Sequence, residues 1–82
     1  MEIYTTRFCS FCIRAKNLLK AKGVSFKEIP IDTDPDLRRE MNLRSGGGVT
    51  VPQIFIDGEL IGGCDDLVAL EQREQLDKVL GI

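Results

Sequence analysis

Residues 2–16 read EIYTTRFCSFCIRAK, and the change of pattern inside this stretch decides the architecture. EIYTT is a short run of β-branched and aromatic residues and predicts a strand. From Ser10 the spacing turns helical, with Cys12, Ala15 and Leu19 on one face. Ser10 is expected to cap or start this helix, and Gly23 to end it. Cys9 and Cys12 therefore sit as C-x-x-C where a strand hands over to a helix.

Working outward, VSFKEIPID alternates as a half-buried strand from Val24, with Pro30 marking a weak far end or a sheet edge. Asp34 before Pro35 reads as an N-cap with proline in the first turn of a second helix. Leu37, Met41 and Arg44 follow at helical spacing, and the three glycines from Gly46 form a loop. PQIFID and ELIG read as two strands joined by a turn at Asp57-Gly58. The remainder from Cys64 is helical, with room for a break near Arg73. The order is β-α-β-α-β-β-α. A β-α-β opening implies a parallel pair with a right-handed crossover, and the hairpin adds an antiparallel pair. The expected fold is an α/β domain spanning 1–82, a mixed four-stranded sheet with helices on both faces.

Composition narrows the function. The chain of 82 residues has a formal net charge of -2, without the basic stripe of a nucleic-acid binder. No apolar run approaches the ~20 residues of a membrane span. The opening MEIYTT has neither the basic nor the apolar region of a signal peptide, so a cytoplasmic, reducing setting is expected. There, a C-x-x-C is a catalytic or metal-binding pair rather than a structural disulfide. The chain has three cysteines and no histidine, too few for a conventional four-ligand zinc site. Redox chemistry is the better reading. A thiol at Cys9 would face the free N–H groups of the first helical turn, with Arg7 and Arg14 nearby, which favours its thiolate. Cys12, one turn in, is expected to be more buried and to act as the resolving thiol.

Two further motifs stand out. In Thr50-Val51-Pro52, the proline keeps Val51 extended, and a cis bond there would leave its backbone free to pair with an extended peptide. In Gly62-Gly63-Cys64-Asp65-Asp66, glycines precede a helix start that can receive a carboxylate, or whose aspartates can hold an ammonium group. Taken alone, that segment reads by default as an ordinary N-cap with first-turn acids. Cys64 by itself reads as a small, partly buried residue.

Together, Cys9-Ser10-Phe11-Cys12, Thr50-Val51-Pro52 and Gly62-Gly63-Cys64-Asp65-Asp66 resemble the glutaredoxins over nearly the whole chain, particularly the short bacterial class called glutaredoxin 3. The resemblance implies the thioredoxin fold, a cis Pro52, and a glutathione-dependent thiol–disulfide oxidoreductase acting as a monomer on glutathionylated and disulfide-containing proteins. It implies Cys9 as nucleophile, Cys12 as resolving cysteine and Phe11 as the aromatic beside them. It also implies that Thr50, Val51 and Pro52 meet the cysteinyl part of glutathione, and that Gly63, Cys64, Asp65 and Asp66 meet the γ-glutamyl end. Arg38 falls near the position that binds the glycyl carboxylate. Three departures are visible. Thr6 stands where the family usually has lysine, with Arg7 next to it. C-S-F-C replaces the common C-P-Y-C, and the glycine loop is about one residue longer than usual. Loss of the proline after the nucleophile suggests an alternative role, a [2Fe–2S] cluster shared by two chains through Cys9 and two glutathiones.

Overall fold

Residues 1–82 are all described by the structure, a computed structural model. The chain forms β1 (Glu2–Thr5), α1 (Ser10–Ala21), β2 (Lys27–Pro30), α2 (Pro35–Arg44), β3 (Gln53–Ile56), β4 (Glu59–Gly62), α3 (Cys64–Gln72) and α4 (Leu76–Leu80). The sheet order is β2-β1-β3-β4. β1 pairs parallel with β2 across the α1 crossover and antiparallel with β3, and β3 pairs antiparallel with β4. The mixed four-stranded α/β architecture expected from the sequence is the one observed.

β1 is central, so its Ile3, Tyr4 and Thr5 are all buried. Its pleat divides the core in two. Ile3 and Ile54 meet Ala15 and Leu19 of α1, Leu67 of α3 and Leu76 of α4 on one face. On the other, Tyr4 and Phe55 meet Ile29, Ile31 and Met41 of α2. Burial of Cys12, Ala15 and Leu19 follows the predicted α1 stripe. Asp34 caps α2 as expected, its Oδ1 accepting from the backbone N–H groups of Asp36 and Leu37 at 3.0 and 3.1 Å. The β3–β4 hairpin turns through Asp57 and Gly58, both left-handed (φ 52° and 81°), the geometry of a type I′ turn.

Ser10 starts α1 as expected, and the N-cap before it is Cys9, which is extended (φ −130°, ψ 103°) while its Sγ takes the Cys12 N–H. One expectation needs correction. Val24 and Phe26 lie outside β2, although both pack on the α1 face of the core. The break for which the sequence left room near Arg73 is present: Glu74 turns left-handed (φ 57°) after the Arg73 C-cap, so the last helical stretch is two helices. The break redirects the chain so that Leu76 can fill the core.

Candidate active site

The C-x-x-C pair lies at the C-terminal end of β1 and the first turn of α1. Capping makes the two thiols unlike. The Cys12 backbone N–H donates to Cys9 Sγ at 3.1 Å, one of the helix's orphan donors used on sulfur. The Cys9 thiol donates in turn to the Val51 carbonyl oxygen at 3.7 Å. Cys9 is partly exposed; Cys12 is fully buried, and both are free thiols. Burial first, and then the hydrogen bond to Cys9, push the Cys12 thiol up to about 12, against smaller opposite effects of the Thr6 backbone and Lys16. One sulfur is thus open to a substrate and its neighbour is kept as a protonated thiol beside it.

A groove of about 570 Å³ runs alongside. Phe11 of α1, which is 54% exposed, forms one wall, and the Thr50–Gln53 segment leading into β3 another. Val51–Pro52 is cis, as the resemblance implied. Gly63, Cys64, Asp65 and Asp66 close the far end. Here the Gly63 N–H donates to Asp66 Oδ2 at 2.9 Å, so Asp66 serves the helix start. Gly62 at φ 123° has no room for a side chain, because a Cβ would run into the Asp66 carboxylate. Cys64 is buried (3% exposed), deeper than the sequence suggested, and burial raises its thiol, with Arg14 opposing.

Thus Phe11, Thr50, Val51, Pro52, Gly63, Cys64, Asp65 and Asp66 come together in one groove beside Cys9. The two arginines do not line it. Arg38 lies in an adjoining hollow of about 310 Å³ with Arg39, Asn42 and Val49, meeting the groove at Gly48. Arg7 is exposed; its backbone N–H donates to Asp32 Oδ2 at 2.9 Å, and its guanidinium lies 4.0 Å from the same oxygen. Sequence reasoning missed Ser45, Gly48, Gln53 and Leu60 as lining residues. For Gln53 a signal existed: it is the one polar residue in the strand QIFI.

The arrangement supports thiol–disulfide exchange, and comparison with known proteins agrees. The glutaredoxin family model matches residues 1–61. Glutaredoxin 3 of Escherichia coli (strain K12) is 59% identical over 80 residues, covering 98% of this chain and 95% of that protein. The solution structure of glutaredoxin from Brucella melitensis superimposes with a TM-score of 0.83 at 52% identity, over 96% of this chain and 85% of that one. A crystal structure of a buckwheat glutaredoxin–glutathione complex gives a TM-score of 0.87 at 28% identity, over 98% of this chain and 74% of that one. With the fold, the thiol pair and these matches in agreement, the chain belongs to the glutaredoxin family and is a thiol–disulfide oxidoreductase of that type.

Proposed function

We propose that the chain reduces protein–glutathione mixed disulfides through Cys9 alone, and protein disulfides through Cys9 and Cys12. The observation that carries this reading is the asymmetry of the pair: an accessible Cys9 sulfur beside a buried, protonated Cys12. In the first reaction the Cys9 thiolate attacks the glutathione sulfur. A Cys9–glutathione disulfide forms, the protein's sulfur–sulfur bond breaks, and the protein leaves as a thiolate that takes up a proton. A second glutathione, as its thiolate, attacks this disulfide, releasing glutathione disulfide and the Cys9 thiolate. With a protein disulfide, Cys9 instead forms a mixed disulfide with the protein. Cys12 then loses its proton and attacks Cys9, freeing the protein and leaving a Cys9–Cys12 disulfide for two glutathiones to reduce.

The glutathione found with the buckwheat relative supports the ligand. In this proposal its cysteinyl part pairs with the Val51 backbone against Thr50 and Pro52, beside Phe11. Its γ-glutamyl end meets Gly63, Cys64, Asp65 and Asp66. Arg38 reaches the glycyl carboxylate from the adjoining hollow, and Arg7 contributes positive charge from the rim. Action as a monomer in a reducing, cytoplasmic compartment belongs to the same proposal.

The test is a pair of variants assayed on a glutathionylated peptide and on an intraprotein disulfide. Cys9→Ser should abolish both activities. Cys12→Ser should keep the first and lose the second. A Cys12→Ser enzyme inactive on the glutathionylated peptide would sink the single-thiol step.

A second reading, the shared [2Fe–2S] cluster, is favoured by one observation: Ser10, the first residue of α1, is exposed beside Cys9 and retains the N–H that proline would lack. No group of three or more His, Cys, Asp or Glu side chains within the chain could hold a metal, so a cluster would need a second chain and two glutathione thiolates. Anaerobic reconstitution with iron, sulfide and glutathione tells the readings apart. A coloured dimer that disappears in Cys9→Ser supports the cluster; a colourless monomer removes it.

A further inference from the structure

Gln53 is buried (7% exposed) in a strand whose next residues, Ile54 and Phe55, are core. A buried amide in such a place is costly unless its polar atoms are used. Its Nε2 donates to the Thr50 carbonyl oxygen at 3.0 Å, spanning the residues that form the groove wall beside Cys9. The same nitrogen lies under Gly48: a Cβ built there would be 2.8 Å from Gln53 Nε2 and 2.5 Å from Ser45 Oγ. Gly48 is itself held at both ends. Its N–H donates to Ser45 Oγ at 2.8 Å, and its carbonyl accepts from Asn42 Nδ2 at 3.2 Å. The glycine-rich loop after α2 is therefore tied down by two side chains from behind and seated on the Gln53 amide from below.

We propose that Gln53 is a positioning residue for the glutathionyl group: through the Thr50 carbonyl, and packed against Gly48, it holds the Thr50–Val51 backbone in the register that receives the ligand. This rests on the glutathione reading above. The amide is the only part of Gln53 that the role needs, and a side chain on Gly48 would run into that amide as well as into Ser45 Oγ. The bond ties a groove wall rather than a reacting atom. Its loss therefore weakens binding of the glutathionyl part in ground and transition states alike, which raises KM and leaves kcat nearly in place.

The experiment measures steady-state kinetics with a glutathionylated peptide for the wild type, Gln53→Met, Gly48→Ala and the double variant. Gln53→Met keeps the volume and removes the donor. Gly48→Ala keeps the donor and displaces it. Each should raise KM roughly 3- to 10-fold, the size expected for one buried hydrogen bond, with kcat within about twofold. The double variant should raise KM by less than the product of the two single effects, because both disturb the Gln53 amide, although Gly48→Ala also crowds Ser45 Oγ. A wild-type KM in Gln53→Met overturns the proposal. So does a KM rise in Gln53→Met that Gly48→Ala does not share, which would mean direct contact with the ligand, or a fully additive double variant. A wild-type enzyme showing no activity with this substrate would count instead against the glutathione reading itself.

Discussion

Arg44 illustrates how one side chain closes a core. Its Nη1 and Nη2 donate to the two Glu2 carboxylate oxygens at 3.1 and 2.9 Å, and Nη1 also donates to the Tyr4 hydroxyl at 2.8 Å. The Tyr4 hydroxyl in turn donates to Glu40 Oε1 at 2.8 Å, so the hydroxyl of a fully buried ring is satisfied in both senses. The guanidinium carbon lies 4.2 Å from the Phe55 ring centroid. Arg44 thus joins the end of α2 to β1 and β3 by a planar fork and a stacking face, which lysine cannot reproduce. Arg44→Ala should lower stability by about 1–3 kcal/mol in urea unfolding, the range for charge-assisted hydrogen bonds together with a cation–π contact. Arg44→Lys should recover less than half of that. An Arg44→Ala protein as stable as the wild type would show that the pairs are too solvated to matter.

At the scale of elements, α2 carries the end of the groove loop as well as half the core. It starts at the Asp34 cap and runs to Asn42, which holds Gly48, and Arg44, which holds the sheet. Pro35 sets the first turn and Asp36 complements the helix dipole, but the cap itself rests on two hydrogen bonds to one carboxylate oxygen. Asp34→Ala should therefore cost about 1 kcal/mol of stability, a typical loss for an N-cap. Fraying of α2 should follow, seen as faster amide exchange at Asp36 and Leu37 than in α1. Equal exchange in the variant and the wild type at these two amides would contradict the capping role.

The whole molecule gathers these local effects into its response to pH. The hydrogen bond from Arg44 first of all lowers the Glu2 carboxyl from its ordinary 4.5, and hydrogen bonds from Thr5 and then Lys16 lower Glu28 from the same value. Both carboxylates are favoured in the fold, so their contribution is complete above 4.5 and is lost as pH falls through the lower folded values. Cys12 acts in the opposite direction. Its folded value of about 12 lies above the ordinary 9.0, so the native state keeps a proton that the unfolded chain releases, and stability falls as pH rises from 9.0 towards 12. Cys64, raised from the same 9.0 mainly by burial, and Tyr4, raised from 10.0 mainly by burial, add to the same alkaline decline. Unfolding free energy measured against pH should show a plateau between these two arms. Cys12→Ser should flatten the onset of the alkaline arm near 9.0; an unchanged onset would contradict the assignment.

The sequence by itself determined what depends on near neighbours: helical and strand periods, the Asp34 cap, the Asp57-Gly58 turn and the C-x-x-C at a helix start. Each of these is written within a few residues, because a helix bonds four apart and a turn closes over four residues. For the same reason the three quoted motifs were enough to recognise the family. What only the tertiary structure decided lies further apart in the chain. Cys9 faces Val51 across 42 positions, and Arg44 meets Glu2 across the same distance. The exclusion of Arg38 from the main groove, the depth of Cys64 and the start of β2 at Lys27, after Val24 and Phe26, also follow from how helices seat on a shared sheet. Gln53 marks the boundary. Its polarity within QIFI was visible in the sequence, but its use was not, because the glycine loop that it supports reaches it only once α2 has packed on the sheet.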